Sequence, residues 1–177
     1  MTPHKQQNNR KATLLSALFV TTLASNAMAD IFHVDDDLMD YPSAGFTSIQ
    51  DAVDSSAAGD TIYIYTGTYT GAGDEVVHVD SIELELIGVG DVVVDGQNQR
   101  RCFRLQGPEK GLTQIRLENL TLVNGEAVSS SGSGWAGNGG GLHAEGEVEL
   151  HGCTVKDCHS DQNGGGEKSA RVETSGG

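Results

Sequence analysis

From Thr61 onward, apolar and polar positions alternate. The apolar members are Ile62/Ile64, Val77/Val79, Ile82/Leu84/Leu86, Val92/Val94, Phe103/Leu105, Ile115/Leu117, Leu120/Leu122, Leu142/Ala144, Val148/Leu150 and Cys153/Val155. The positions between them are often charged, as at Glu83, Glu85, Arg104, Arg116, Glu118, Glu147 and Glu149. A period of two sends successive side chains to opposite faces, so each segment predicts a strand with one buried and one wet face. These strands are expected to be short, about two to five residues, and Gly, Asn or Asp separates them. Ile31-Phe-His-Val34 is a further strand candidate. Only one stretch has a helical period. Ile49, Ala52, Val53 and Ala57 predict a helix over 47–58, with Thr47 and Gln50 as its capping box and Gly59 as its stop. Nothing between the strands reads as a crossover helix, which disfavours a doubly wound α/β fold.

The strand pattern repeats. Ile115, Leu117, Leu120, Thr121 and Leu122 correspond to Val148, Leu150, Cys153, Thr154 and Val155 at an offset of 33. The same offset backwards from Ile115 reaches Ile82. Gly137-Asn-Gly-Gly-Gly141 is echoed by Gln162-Asn-Gly-Gly-Gly166, and residues 128–134 read as a loop insertion. A unit of this size cannot bury its own apolar side, so stacked units are expected to share one core. Gly and Asn are expected at the corners, where the chain needs positive φ or close approach. The helix is expected to cover the apolar end and open strand edge of the first coil.

The order of these motifs resembles a known group. Ile49-Gln-Asp-Ala-Val53, Ala58-Gly-Asp-Thr-Ile-Tyr-Ile64 and Gly67-Thr-Tyr69 are similar to the opening of secreted right-handed parallel β-helix proteins of the pectin lyase-like superfamily. Ile82-Glu-Leu-Glu-Leu-Ile-Gly88 and Val94-Asp-Gly96 resemble their next coil. Leu117-Glu-Asn-Leu-Thr-Leu-Val-Asn-Gly125 and Asn138-Gly-Gly-Gly-Leu142 resemble later coils, including the Gly-rich turns of the polymorphic outer-membrane type. The resemblance spans roughly 31–166 and implies an all-β fold, a right-handed parallel β-helix or solenoid with a short N-terminal capping helix. The superfamily holds lyases, hydrolases, esterases, adhesins and stalks, so the resemblance does not carry an activity.

The N-terminus changes the picture of where the chain works. Lys5, Arg10 and Lys11 precede an apolar run that ends in Ala27-Met-Ala29. That is the pattern of a signal peptide over 1–29, cleaved after Ala29, and the run is shorter than a bilayer requires. The expected organisation is then a strand and capping helix over 30–60, β-helix coils over 61–166 and a Gly/Ser-rich uncapped tail over 167–177. A secreted or cell-surface protein with no membrane span after cleavage follows. Beyond residue 29, 8 basic residues face 25 acidic ones, a net charge of −17 against −14 for the whole 177-residue chain. This balance argues against a nucleic-acid partner. Thirteen of the 24 glycines fall within 132–177, without the strict three-residue period of collagen.

Candidate chemistry is sparse. On the 33-residue offset, Glu83, Arg116 and Glu149 stack as acid, base and acid, and the preferred reading is a solvated, charge-balanced ladder. Asp35-Asp-Asp37 lacks the spacing of a Ca²⁺ loop. Tyr63, Tyr65 and Tyr69 are candidates for a sugar-stacking platform. His33, His78, His143, His151 and His159 show no metal-ligand spacing, with His143 and His151 expected to face outward. Of Cys102, Cys153 and Cys158 at least one stays unpaired, and Cys153 is expected to be a buried free thiol. No residue is assigned as catalytic, cofactor-binding or metal-ligating. No cofactor is expected, Ca²⁺ being the one ion the acidic positions admit. The leading expectation is an exported, non-catalytic β-helix module, a surface stalk or adhesin-like element and a fragment of a longer protein. Its expected partners are extracellular polysaccharide or cell-surface components. The alternatives are a Ca²⁺-dependent polysaccharide lyase or hydrolase acting on acidic glycans, and a truncated product without independent function.

Overall fold

The computed structural model describes residues 28–106, 114–127 and 138–161. Residues 1–27 of the expected leader over 1–29, the insertion at 128–134, the second glycine turn at 162–166 and the tail over 167–177 lie outside the described residues. Among the described residues the chain forms β1 (Ile31–Val34), α1 (Ile49–Ser55), β2 (Asp60–Tyr69), β3 (Glu75–Asp80), β4 (Leu84–Asp95), β5 (Arg101–Gln106) and β6 (Gln114–Val123). They continue as β7 (Glu126–Ala127), β8 (Leu142–Glu145), β9 (Glu147–His151), β10 (Thr154–Lys156) and β11 (His159–Ser160). Among the described residues the fold is all-β apart from one short helix, and every strand pairing is parallel.

Three sheets share the strands. The largest runs β1-β2-β4-β6-β10, with β9 also on β6; the others are β3-β5-β8 and β7-β11. Strand partners lie one pass of the chain apart: Thr61 pairs with Glu85, Glu85 with Arg116, and Arg116 with Glu149. Inward residues therefore line up in rows. Ile62, Leu86, Leu117 and Leu150 form one, and Val77, Phe103 and Leu142 another. All seven are buried and belong to a single apolar core.

Five expectations need correction. Two strands, β4 and β6, each join two expected segments, because the ladder runs through a bend; its register shifts between Ile87 and Val92. The 33-residue offset holds from β6 to β9 and β10, but Ile115 pairs with Leu84, not Ile82. A slip of two keeps the side chains of β4 on their expected faces, so Leu84 and Leu86 still point inward and Glu85 outward. The helix is shorter than 47–58, and its cap is Ser48, whose Oγ accepts from the Asp51 N–H at 3.4 Å. Thr47 and Gln50 form no capping box, because the Gln50 amide is engaged elsewhere. Its Oε1 accepts from the His78 N–H at 2.7 Å and its Nε2 donates to the His78 carbonyl at 3.1 Å. Ala57, expected on the apolar face, is exposed, and its N–H donates to buried Asp60, which ends the helical turn.

The helix sits where an end cover was expected. Ile49, Ala52 and Val53 are buried in the core. Gln50 supplies β3, an edge strand, with the two hydrogen bonds a neighbouring strand would have made.

Candidate functional site

The outer face of the largest sheet carries the chemistry. Strand register arranges it in rows. One row reads Ile31, Thr61, Glu85, Arg116, Glu149, and the next reads His33, Tyr63, Ile87, Glu118, His151. The face is thus aromatic and apolar towards β1 and charged towards β9.

At the charged end, a cavity of about 310 Å³ is lined by Gly59, Thr61, Glu83, Leu84, Glu85, Arg116 and Glu149. The acid–base–acid stack exists, but its first member is Glu85 rather than Glu83, because the pass between β4 and β6 is 31 residues at this point. Glu83 stands beside it, exposed, one residue before β4. Arg116 is 3.9 Å from Glu85 and also pairs with Glu118. Its charge is therefore balanced by carboxylates on its own and the neighbouring strand, as the ladder reading requires. A general base drawn from this row would have to give up those pairs first.

At the other end, four rings gather. His33 lies 5.8 Å from Tyr63, ring to ring, and 5.9 Å from Tyr65. The loop after β1 then folds back and lays Tyr41 against His33 at 4.5 Å and against Tyr65 at 4.7 Å, both stacked. The Tyr65 hydroxyl meets His33 Nδ1 at 3.2 Å. Burial, with Tyr41, Tyr63 and Asp35 close by, pushes the Tyr65 phenol up from its ordinary value. All four rings are half-buried, so part of each remains open to solvent. Tyr69 does not belong to this group. It is buried, and its hydroxyl donates to the Tyr65 carbonyl at 2.8 Å and the Val34 carbonyl at 3.3 Å. The register shift between Tyr65 and Gly67 explains this, because it takes Tyr69 out of the phase that Tyr63 and Tyr65 share.

Asp35 holds the fold-back. It is fully enclosed, and burial alone would raise its carboxyl. The backbone N–H groups of Tyr41, Asp37, Leu38 and Asp40 outweigh that and hold it below the usual carboxylate value. Asp35, Asp37 and Asp40 lie close enough together to hold an ion. Both Asp35 oxygens, however, already accept from the loop's own N–H groups, and Asp37 Oδ1 accepts from Met39 at 2.9 Å. These hydrogen bonds account for the cluster as the tie that folds the loop back.

Other residues are placed differently from expectation. His143 is buried, not outward-exposed; it lies in register with Arg104 and its Nε2 is 3.4 Å from Glu145. Burial pushes its imidazole below the ordinary value, with Glu145 opposing. Cys153 is only half-buried and Val155 is exposed, because β10 pairs on one side only among the described residues. His33 and Tyr41 were not seen as partners of Tyr63 and Tyr65, since only the β1–β2 register and the fold-back bring them there. No family model matches the chain, and no curated protein or solved structure matches it either.

Proposed function

We propose that this chain is an exported, non-catalytic module built as a right-handed parallel β-helix, and that its outer sheet face holds an extracellular polysaccharide. The observation that carries the binding role is the cluster of His33, Tyr41, Tyr63 and Tyr65 on one open sheet face. Such rings offer an apolar body for the C–H face of a sugar and polar tips for its hydroxyls. The in-register rows of inward side chains favour the β-helix, because stacked coils repeat each contact one pass later. A net charge of −17 beyond residue 29, from 8 basic and 25 acidic residues, disfavours acidic glycans and points to a neutral polysaccharide. A surface stalk or adhesin-type element is the role that suits a repeating body with one adhesive face.

The lyase or hydrolase alternative draws on the cavity beside Glu85, Arg116 and Glu149. It is the weaker reading, since the only cation there is ion-paired twice among the described residues.

The test is affinity electrophoresis of the full chain through a panel of neutral and acidic polysaccharides. Retardation by a neutral glycan, weakened at least about tenfold by Tyr63→Ala, is expected for loss of about 1.4 kcal/mol of stacking. No retardation by any glycan overturns the binding role. Unsaturated uronide absorbance from polygalacturonate with Ca²⁺ overturns the non-catalytic one.

A further inference from the structure

Two of the three thiols converge inside the molecule. Cys102, on β5, is completely buried, and its Sγ lies 3.3 Å from the Val123 carbonyl and 3.5 Å from that of Val94. Cys158 sits in the turn between β10 and β11, which Asp157 makes with a φ of 54°. Its Sγ accepts from the Gly125 N–H at 3.3 Å. Val123 and Gly125 are two residues apart, so both sulfurs are anchored to the same short stretch of backbone. Gly141, whose carbonyl accepts from the Phe103 N–H, leaves room for Cys158: a methyl group there would lie 3.1 Å from its Sγ. Cys158 Sγ also lies 3.9 Å from the Leu122 carbonyl, next to the Val123 carbonyl that Cys102 meets, so the two thiols are close enough to perturb each other's ionisation.

We propose that Cys102 and Cys158 form a modification site, a dithiol that a small-molecule disulfide such as oxidised glutathione converts to an internal disulfide. Cys158 is the attacking sulfur because it alone of the pair is partly open to solvent. The neighbouring Cys102 thiol holds the Cys158 thiol down at about 7, while Cys158 and burial push Cys102 up. Cys158 loses its proton to water, and its thiolate attacks one sulfur of the oxidant. The oxidant's S–S bond breaks and one glutathione thiolate leaves, taking up a proton. The Cys102 sulfur then attacks Cys158 Sγ, and its proton leaves with the second glutathione as a thiol. Two protein thiols are oxidised, and one external disulfide is reduced to two thiols. The new bond ties β5 to the β10–β11 turn across 56 residues of chain.

Cys153 provides the contrast. Its Sγ lies 3.4 Å from the Leu117 carbonyl, and burial pushes its thiol up. It is not expected to take part.

The test incubates the full chain with oxidised glutathione across pH 5 to 9, roughly two units either side of Cys158's value. Intact mass is expected to fall by two hydrogens, and non-reducing peptide maps to join Cys102 to Cys158. The rate is expected to rise through about pH 7. The melting temperature is expected to rise by roughly 5–10 °C, as a long closed loop would give. Cys153→Ser should leave all of this intact, and Cys158→Ser should abolish it while keeping the same circular dichroism. A cross-link that includes Cys153, a stable glutathione adduct that Cys102 never resolves, or unchanged mass would each overturn the proposal.

Discussion

At Gly125 neighbouring passes come too close for a side chain. A methyl group there would lie 2.1 Å from the Gly140 carbonyl oxygen and 2.6 Å from its carbon, both backbone atoms that cannot rotate away. Gly125→Ala is therefore expected to cost about 2–4 kcal/mol in urea unfolding, the usual range for forced overpacking or broken strand contacts. Gly45→Ala is the control. Nothing lies within 4 Å of its added methyl, so it should be neutral or up to about 1 kcal/mol stabilising. Asp35 makes a second prediction at this scale. Its folded carboxyl sits below the ordinary 3.8, because backbone N–H groups favour the charged form. A depressed folded value adds stability that is complete above the unfolded value and is lost as pH falls through the folded one. Near-ultraviolet circular dichroism from the Tyr41–Tyr65 stack should hold above about pH 4 and fade below 3.8. Asp35→Asn should weaken the signal at every pH, and an unchanged signal in that variant would show that the carboxylate does not hold the loop.

Elements meet here by completing each other's hydrogen bonds. Gln50 illustrates this, since it acts as one residue of a missing strand along β3. Removing it orphans a donor and an acceptor at His78. Gln50→Ala should cost about 1–3 kcal/mol and raise hydrogen exchange at the His78 amide by roughly ten- to a hundredfold. Unchanged exchange there would mean that water serves the edge equally well. The same residue shows what the sequence could and could not disclose. The apolar spacing of Ile49, Ala52 and Val53 located a helix and its buried face. The Thr47–Gln50 pattern misdirected, because a capping box is a local motif and Gln50 answers to a strand 28 residues away. Strand phase was legible along β4 and β6, since a two-residue slip preserves it, but the exact partner was not, and Glu83 stood in for Glu85. Half of the aromatic site was legible for the same reason. Tyr63 and Tyr65 declare their face by alternation, whereas His33 and Tyr41 reach it only through pairing and folding at long range. Tyr69 was misassigned because a register shift after Tyr65 is invisible to a rule of strict alternation.

Across the molecule, each strand is supported by its neighbours one pass before and one pass after, so support is greatest in the middle. β4 lies between β2 and β6, and Leu86 stands fully buried in a row that continues to Ile62 on one side and Leu117 on the other. β10 has β6 alone among the described residues, and Thr154, Val155 and Lys156 are all exposed. For the β-helix proposed above, stability is close to a sum of unit and neighbour terms. Leu86→Ala should therefore cost about 3–5 kcal/mol, since it removes a side chain from both interfaces at once. Val155→Ala should cost less than about 1 kcal/mol. Native-state hydrogen exchange should rank the strands in the same order, with β4 and β2 opening only on global unfolding and β10 and β11 opening first. Oxidation at Cys102 and Cys158 would close that gap selectively, raising protection in the β10–β11 turn without altering β4. Equal protection of β10 and β4 in the reduced protein would mean that something beyond β6 secures the last described strands, and the graded picture would fail.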